Sequence, residues 1–211
     1  GGGSDLVTLG DNKSEFTMVS GGGPTSLIGT SGVDTVIVSG GVSVTGGTGA
    51  DKITLATSGN GNTVVYSSGN DGGGSGSFNG ADIVKNFRSG ADKVVIGGAL
   101  LAAVARGGNL LVNNEAQNGA NNGDSVSVLT EAVAGNLNEG GMRKFLTALG
   151  TLASGSTSSS LLVIAHDSAS LANSGLFLIT EGSTTTVSSG QVKMLAYFEG
   201  VTLTVGDVSK A

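Results

Sequence analysis

Cysteine is absent from the 211-residue sequence, which also has a single proline and no tryptophan. The chain therefore has neither disulfides nor thiolate ligands, and one proline excludes collagen-like and proline-rich chains. Charged residues make up 12% of the chain, about half the usual share, and aromatic residues 4%. No apolar run reaches the roughly 20 residues of a membrane-spanning helix. The net charge of -6 argues against a nucleic-acid partner, because phosphate binding needs basic patches.

Glycine is abundant, with 39 copies, while hydrophobic residues reach 38% and the mean hydropathy is +0.22. A disordered chain shows the opposite combination of low hydrophobicity and high charge, so this chain is expected to fold. Valine, leucine, isoleucine, threonine and serine dominate the other positions, and they favour strands and turns. The composition therefore predicts a mainly all-β protein.

A glycine-rich repeat occupies residues 1 to about 72. Residues 46–54, GGTGADKIT, fit the nonapeptide G-G-x-G-x-D-x-U-x, in which U is a large apolar residue. Residues 29–37, GTSGVDTVI, fit with Thr30 at the second glycine position, and residues 1–8 fit from the second position onward. The glycines permit tight turns, the aspartate supplies a carboxylate, and the apolar residue points inward from a short strand. The region resembles the RTX repeats of bacterial proteins exported by type I secretion.

The resemblance implies an N-terminal parallel β-roll, or β-solenoid, in which two repeats form one coil of about 18 residues. It also implies calcium bound between turns of successive coils on the same side. Similar repeats also form metal-free solenoids, in which the aspartate only caps a turn, so this alternative stays open. The sequence opens within a repeat, with neither an initiator Met nor a signal peptide, so we expect a processed product or a fragment.

The sixth repeat positions alternate between two sides of such a roll. One side carries the acids Glu15, Asp34 and Asp51, with Asp71 one coil further on. The other side begins with Asp5 and continues with hydroxyl and amide residues at positions 25, 43 and 60–62. We therefore predict calcium along the first side, best between Asp34 and Asp51, and hydrogen bonding along the second. The full set of predicted ligands is Asp5, Glu15, Gly29, Ser31, Asp34, Gly46, Thr48, Asp51 and Asp71.

Residues 80–96, GADIVKNFRSGADKVVI, form a second informative segment. They resemble the segment that follows RTX repeats in serralysin-type proteases and many type I secreted proteins, with Asn86 where an acid is usual. Phe87 and the run 94–96 are expected to cap the open end of the roll, which otherwise exposes apolar core and strand edges. We therefore divide the chain into a roll at 1–79 and a β-rich region for capping, assembly and secretion at 80–211.

The C-terminal region is predicted to hold further strands and one short helix. Apolar residues at 142, 145, 146 and 149 follow helical spacing, which predicts a helix over 142–150. The strand predictions are 109–112, 124–129, 161–165, 175–180 and 191–203. Segments 176–181 and 192–195 resemble the C-terminal part of cyanobacterial and proteobacterial RTX surface proteins, which implies an export signal in 201–211.

Nothing in the sequence indicates catalysis. His166 is the single histidine, and its neighbours Asp167 and Ser168 do not make a triad, because triad residues meet through the fold. A nucleophile elbow, a P-loop and a zinc-binding set are all missing. The scarcity of aromatic residues disfavours a sugar-cleaving site. We therefore predict that the chain is not an enzyme.

Two functions remain for such a chain. The first is a secreted structural subunit of a bacterial surface layer, sheath or extracellular filament, with calcium as cofactor and other copies of itself as partner. Cell-surface polysaccharide is a further candidate partner. The second is the C-terminal export and folding module of a larger secreted RTX enzyme or adhesin. The only support for a third function, a carbohydrate-binding module, is the prediction of a β-rich fold.

Overall fold

The computed structural model describes residues 5–10, 15–18, 25–72, 80–115, 124–130, 132–133, 137, 160–168, 173–180, 187 and 189–211. Within these residues it contains fifteen strands, one α-helix and two short 3-10 helices, so the prediction of a mainly β protein is confirmed. The helix predicted over 142–150 lies outside the described residues. The described helix, α1, spans Gly98–Val104.

The strands form two sheets. In chain order they are β1 (Asp5–Thr8), β2 (Glu15–Met18), β3 (Thr25–Ile28), β4 (Thr35–Val38), β5 (Val42–Thr45), β6 (Lys52–Thr54), β7 (Thr63–Tyr66), β8 (Asp82–Lys85), β9 (Lys93–Ile96), β10 (Val112–Glu115), β11 (Val126–Leu129), β12 (Leu161–His166), β13 (Ser174–Ile179), β14 (Val192–Phe198) and β15 (Val208–Lys210). The first sheet has the order β1-β3-β5-β7-β9-β15 and the second β10-β11-β12-β13-β14-β8-β6-β4-β2.

Residues 5–96, which we call the stacked strands, alternate between the two sheets. Each strand pairs in parallel with the strand two places along the chain, as β4 does with β6. The strands are three or four residues long and alternate inward and outward side chains; in β4, Val36 and Val38 are buried while Ile37 is exposed. Glycines with positive φ, such as Gly40 at 83° and Gly41 at 69°, make the tight turns between sheets.

The C-terminal strands extend both sheets of the stacked strands. Strand β14 pairs in parallel with β8, and β15 pairs in parallel with β9. Strands β12, β13 and β14 pair antiparallel with one another. One core cluster contains buried residues from both parts of the chain, so the apolar interior is continuous between them.

Phe87 and the run 94–96 occupy different places from those expected of a cap. The Phe87 ring is buried and meets the edge of the Phe198 ring, with centroids 5.3 Å apart and planes at 84°. Val94 and Ile96 are buried within β9, an internal strand of the first sheet between β7 and β15. The C-terminal strands β14 and β15 therefore cover the edges that the sequence analysis assigned to Phe87 and 94–96.

Helix α1 packs Leu100 and Val104 into the shared core. It follows Gly97, whose amide donates to the Tyr66 carbonyl at 2.9 Å, so the helix begins where β9 ends. In the part of the chain that the structure describes, no helix has the length and apolar character needed to span a membrane.

Candidate cation site at the acidic turns

Three buried aspartates stand side by side where the turns enter the second sheet. We call Asp34, Asp51 and Asp82 the acidic ladder, because the register of β4, β6 and β8 aligns them. The Asp34 amide donates to Asp51 Oδ1 at 2.8 Å, and the Asp51 amide donates to Asp82 Oδ1 at 3.0 Å. All three are at most 1% exposed. The carboxylates of Asp51 and Asp82 thus each accept the backbone amide of the aspartate in the preceding layer.

The two carboxylates that were predicted to share calcium differ in their hydrogen bonds. Asp34 Oδ2 accepts from the Thr30 amide at 2.7 Å and from the Thr30 hydroxyl at 3.0 Å. Asp51 Oδ2 is buried and has no hydrogen-bond partner. Gly47 stands at the position of Thr30 in the next turn and brings no hydroxyl. The Thr30 hydroxyl therefore gives Asp34 Oδ2 a donor that Gly47 cannot offer to Asp51 Oδ2, which is left unsatisfied.

Glycine is required at the first position of both turns. A Cβ atom on Gly46 would collide with Asp51 Oδ2, and a Cβ atom on Gly29 would collide with the Gly46 carbonyl oxygen. Both glycines therefore let a carboxylate and a carbonyl approach the backbone more closely than any other residue would allow. Asp51 Oδ2 can occupy its position only because residue 46 has no side chain.

Polar contacts tie the stacked turns 29–34 and 46–51 together. The Thr48 amide donates to the Thr30 carbonyl at 3.1 Å, and the Thr48 hydroxyl donates to the Ser31 carbonyl at 3.3 Å. The structure therefore brings the predicted ligands Gly29, Ser31, Gly46 and Thr48 into one pair of adjacent turns. They share that pair with the carboxylates of Asp34 and Asp51.

Asp71 lies beside the ladder rather than in it. Its Oδ2 atom accepts from the amides of Ser67 and Ser68 at 2.8 and 2.9 Å, which closes the turn after β7. Asp71 also forms an isolated antiparallel bridge with Thr48, so this turn touches turn 46–51. The place in register next to Asp51, which the sequence analysis gave to Asp71, belongs to Asp82.

Tyr66 completes the group around the ladder. Its hydroxyl donates to Asp82 Oδ2 at 3.1 Å, and the side chain is 1% exposed. The sequence analysis missed both Tyr66 and the ladder position of Asp82. Residues 80–82, GAD, repeat the triplet of residues 49–51, and that repetition is the signal that could have revealed Asp82.

Burial concentrates unfavourable negative charge at the ladder. Burial raises the pKa of Asp51 to about 6. The hydrogen bond from the Asp34 amide lowers this pKa, whereas the negative charges of Asp34 and Asp71 raise it further. Burial, followed by the charge of Asp51, raises the pKa of Asp82 well above its usual range. Burial also raises the pKa of Asp71, although its amide bonds and the charge of Lys193 oppose the rise. A cation at this place would favour the ionised forms.

Asp5 and Glu15 lie apart from the acidic ladder. Asp5 is exposed in β1 and pairs in register with Thr25 on the first sheet. Glu15 pairs in register with Thr35, the residue after Asp34, and its side chain lies outside the described residues. The register therefore places Glu15 on the strand next to β4, whereas Asp5 lies on the other sheet.

The opposite side of the stacked strands has its own row of polar contacts. Val42 pairs in register with Thr25 there, in place of the Ser43 that the repeat spacing suggested. The Val42 amide donates to Asn62 Oδ1 at 3.4 Å, and the Asn62 amide donates to Asp92 Oδ1 at 2.7 Å. The Asn62 side chain thus accepts the amide of the neighbouring strand, as the carboxylates do in the acidic ladder on the other side.

His166 lies at the end of β12, far along the second sheet from the ladder. Burial lowers the pKa of His166, while the charge of Asp167 opposes the change. The Asp167 carboxylate accepts from the Asn173 amide at 3.1 Å and from Asn173 Nδ2 at 3.0 Å. Asp167 therefore holds the loop between β12 and β13.

Cation binding at the ladder would need more than side chains. No three His, Asp or Glu residues of the described ranges converge closely enough to hold a metal ion by themselves. Calcium, however, takes six to eight oxygen ligands and accepts backbone carbonyls and water among them. Asp51 Oδ2, buried and without a hydrogen-bond donor, is the oxygen of these turns that is left open to such a ligand role. No protein-family model, curated protein or solved structure matches this chain.

Proposed function

We propose that the chain is a secreted structural protein of the bacterial cell surface or extracellular matrix, whose stacked strands form a β-roll ordered by calcium. One observation carries the calcium part of this proposal: the buried Asp51 Oδ2 atom has no hydrogen-bond donor. A buried polar group left unsatisfied costs about 1–3 kcal/mol, and more when it is charged. A bound cation offsets that cost and supplies the positive charge that the ladder lacks around Asp51.

The chemistry of the donors favours calcium over other metal ions. The chain has no cysteine and a single histidine, so softer metals would find few of their preferred ligands. Carboxylates and carbonyls are the ligands of hard cations such as calcium. Asp51 would bind the ion, with Asp34 and the carbonyls of turns 29–34 and 46–51 around it. The ion would hold successive turns together and make the fold depend on an environment rich in calcium.

The roll and its apolar surface support self-assembly. Strands of residues 5–96 that alternate between the two sheets and pair in parallel support the proposed β-roll. Leu6, Ile28 and Ile37 on these strands are 68%, 37% and 45% exposed. Exposed apolar side chains favour association with further copies of the same chain. We propose a surface layer, sheath or filament as the assembled form.

An export and folding module of a larger secreted protein is the second candidate. The close joining of β14 to β8 and of β15 to β9 favours it, because such strands would terminate a roll that begins further upstream. In that case the C-terminal strands serve folding and export, and the activity belongs to another part of the larger protein.

A calcium titration separates these candidates and tests the proposal. Circular dichroism would follow the ordering of the strands, and electron microscopy would follow assembly, both with calcium and with chelator. The structural proposal predicts sheets or filaments that form with calcium and dissolve with chelator. Calcium-dependent folding of a protein that stays monomeric supports the module. Folding and assembly that ignore calcium contradict the ordering role of the ion.

A further inference from the structure

The side of the stacked strands opposite the acidic ladder contains a positive charge supplied by the protein. The Arg88 guanidinium donates through Nη1 to the Gly59 carbonyl and through Nη2 to the Asn60 carbonyl, both at 3.2 Å. Its Nη2 atom also lies 3.2 Å from Asp92 Oδ1. Two carbonyls from one turn and a carboxylate from the next therefore converge on one cation.

The carboxylate in this group needs a positive partner. The Asp92 side chain is 0% exposed, and that of Arg88 is 25% exposed. A carboxylate buried without a counter-charge is strongly destabilising. Arginine suits the position because its guanidinium stays charged and presents several donors in a fixed plane. The pair therefore holds turn 59–62 against turn 88–92.

Asp92 and Asp51 occupy corresponding positions on the two sides of the stacked strands. Each directly precedes a strand, β9 or β6, that pairs in parallel with a strand of the preceding layer. At Asp51 a carboxylate oxygen is left without a donor, whereas at Asp92 the guanidinium supplies the charge. Elsewhere in the described residues, Lys85 and Glu199 form an exposed ion pair that includes neither Asp51 nor Asp92.

We propose that Arg88 substitutes for a metal ion at a latent calcium site formed by the carbonyls of Gly59 and Asn60 and the carboxylate of Asp92. The guanidinium occupies the place of the ion and keeps this side of the stacked strands ordered without calcium. The order of the stacked strands then depends on calcium only at the acidic ladder. Only the choice of calcium as ligand rests on the function proposed above.

Truncation of Arg88 tests this assignment because the turn keeps its other contacts. Asp92 Oδ2 accepts from the Arg88 backbone amide at 2.7 Å, and the Gly90 amide donates to Asp207 Oδ1 at 2.7 Å. Neither bond involves the Arg88 side chain. The R88A variant removes the guanidinium and leaves space for an ion, while R88M removes the charge but fills the space. K85A, which breaks the exposed pair with Glu199, serves as the control.

The measurements are the thermal midpoint in chelator and in millimolar calcium, and the number of calcium ions bound by calorimetry. We expect R88A to lose on the order of 5–10 °C in chelator, to recover most of that loss in calcium, and to bind one ion more than the wild type. R88M should lose stability in both buffers without recovery. K85A should match the wild type in both.

The outcomes separate this inference from the proposed function. If R88A is destabilised equally in both buffers, or stays unfolded in both, calcium does not replace the guanidinium and the inference is wrong. The response of the wild type to calcium tests the proposed function by itself. A wild type that ignores calcium beside an R88A variant that needs it would refute the ion at Asp51 and support the latent site.

Discussion

Replacing Asp51 with asparagine is expected to stabilise the protein in chelator and to remove most of its stabilisation by calcium. The substitution keeps an oxygen to accept the Asp34 amide and removes the charge at the unpaired Oδ2 position. Asparagine thus resembles the protonated carboxyl, which the site favours in the absence of a cation. Its amide oxygen is a neutral ligand, so it binds calcium more weakly than a carboxylate does.

The size of the effect follows from the pKa of Asp51. Burial raises this pKa from 3.8 to about 6, a difference of about 2 pH units. Each pH unit corresponds to about 1.4 kcal/mol, so ionised Asp51 destabilises the ion-free folded state by up to about 3 kcal/mol above pH 7. D51N should recover on the order of 1–3 kcal/mol of this free energy. For a chain of this size, that gain raises the thermal midpoint by about 3–10 °C.

Thermal unfolding followed by circular dichroism, in chelator and in millimolar calcium, provides the assay. Wild type should gain stability from calcium, and D51N should gain little. The control is D5N, which removes a carboxylate from the exposed residue of β1 and should respond to calcium as the wild type does. If D51N is less stable than the wild type in chelator, or responds equally to calcium, the reasoning about the unpaired oxygen is wrong.

Three further predictions concern the same turns. In chelator, the stability that Asp51 contributes should be greatest near pH 4 and should fall as the pH rises from about 4 to about 6, because the folded state holds the Asp51 proton up to a higher pH than the unfolded state does. Urea unfolding at a series of pH values measures this, and stability that rises over this range contradicts it. G46A should destabilise the protein and abolish its calcium response, because the added methyl group collides with the Asp51 carboxylate. The control G10A adds a methyl group in open space and should change neither the stability nor the calcium response in the same thermal assay. Y66F should lower the free energy of unfolding by about 1–3 kcal/mol, measured by chemical denaturation, because it leaves Asp82 Oδ2 without its donor. The same substitution in a D82N background should lower it by less. An equal loss in both backgrounds would show that the bond is unimportant.

The regular part of the repeat made the turns predictable. Asp34 and Asp51 are 17 residues apart, close to two nonapeptides, so their alignment in adjacent layers follows from spacing alone. Asp51 and Asp82 are 31 residues apart, because the turn closed by Asp71 and the residues after it interrupt the repeat. Counting nonapeptides therefore led to Asp71, and the register that selects Asp82 depends on strand pairing between distant segments.

Other features depended on packing that no local pattern records. Helix α1 has seven residues, no side-chain cap at its start and no charged residue in its end turns, so its sequence carries few helix signals. The strands predicted at 161–165, 175–180 and 191–203 exist as β12, β13 and β14, but their antiparallel pairing arises from contacts within the core. The missing donor at Asp51 likewise depends on the geometry of one turn, and on Gly47 standing where the turn before it has Thr30.

Anomalous scattering from crystals grown with calcium would locate the ion proposed at Asp51. We expect a calcium peak about 2.3–2.6 Å from Asp51 Oδ2, the distance expected for an oxygen ligand. We expect no peak beside Asp92 in the wild type, where the Arg88 guanidinium holds the place of an ion. An ordered crystal in which Asp51 Oδ2 contacts only water or a protein donor at saturating calcium would contradict the account.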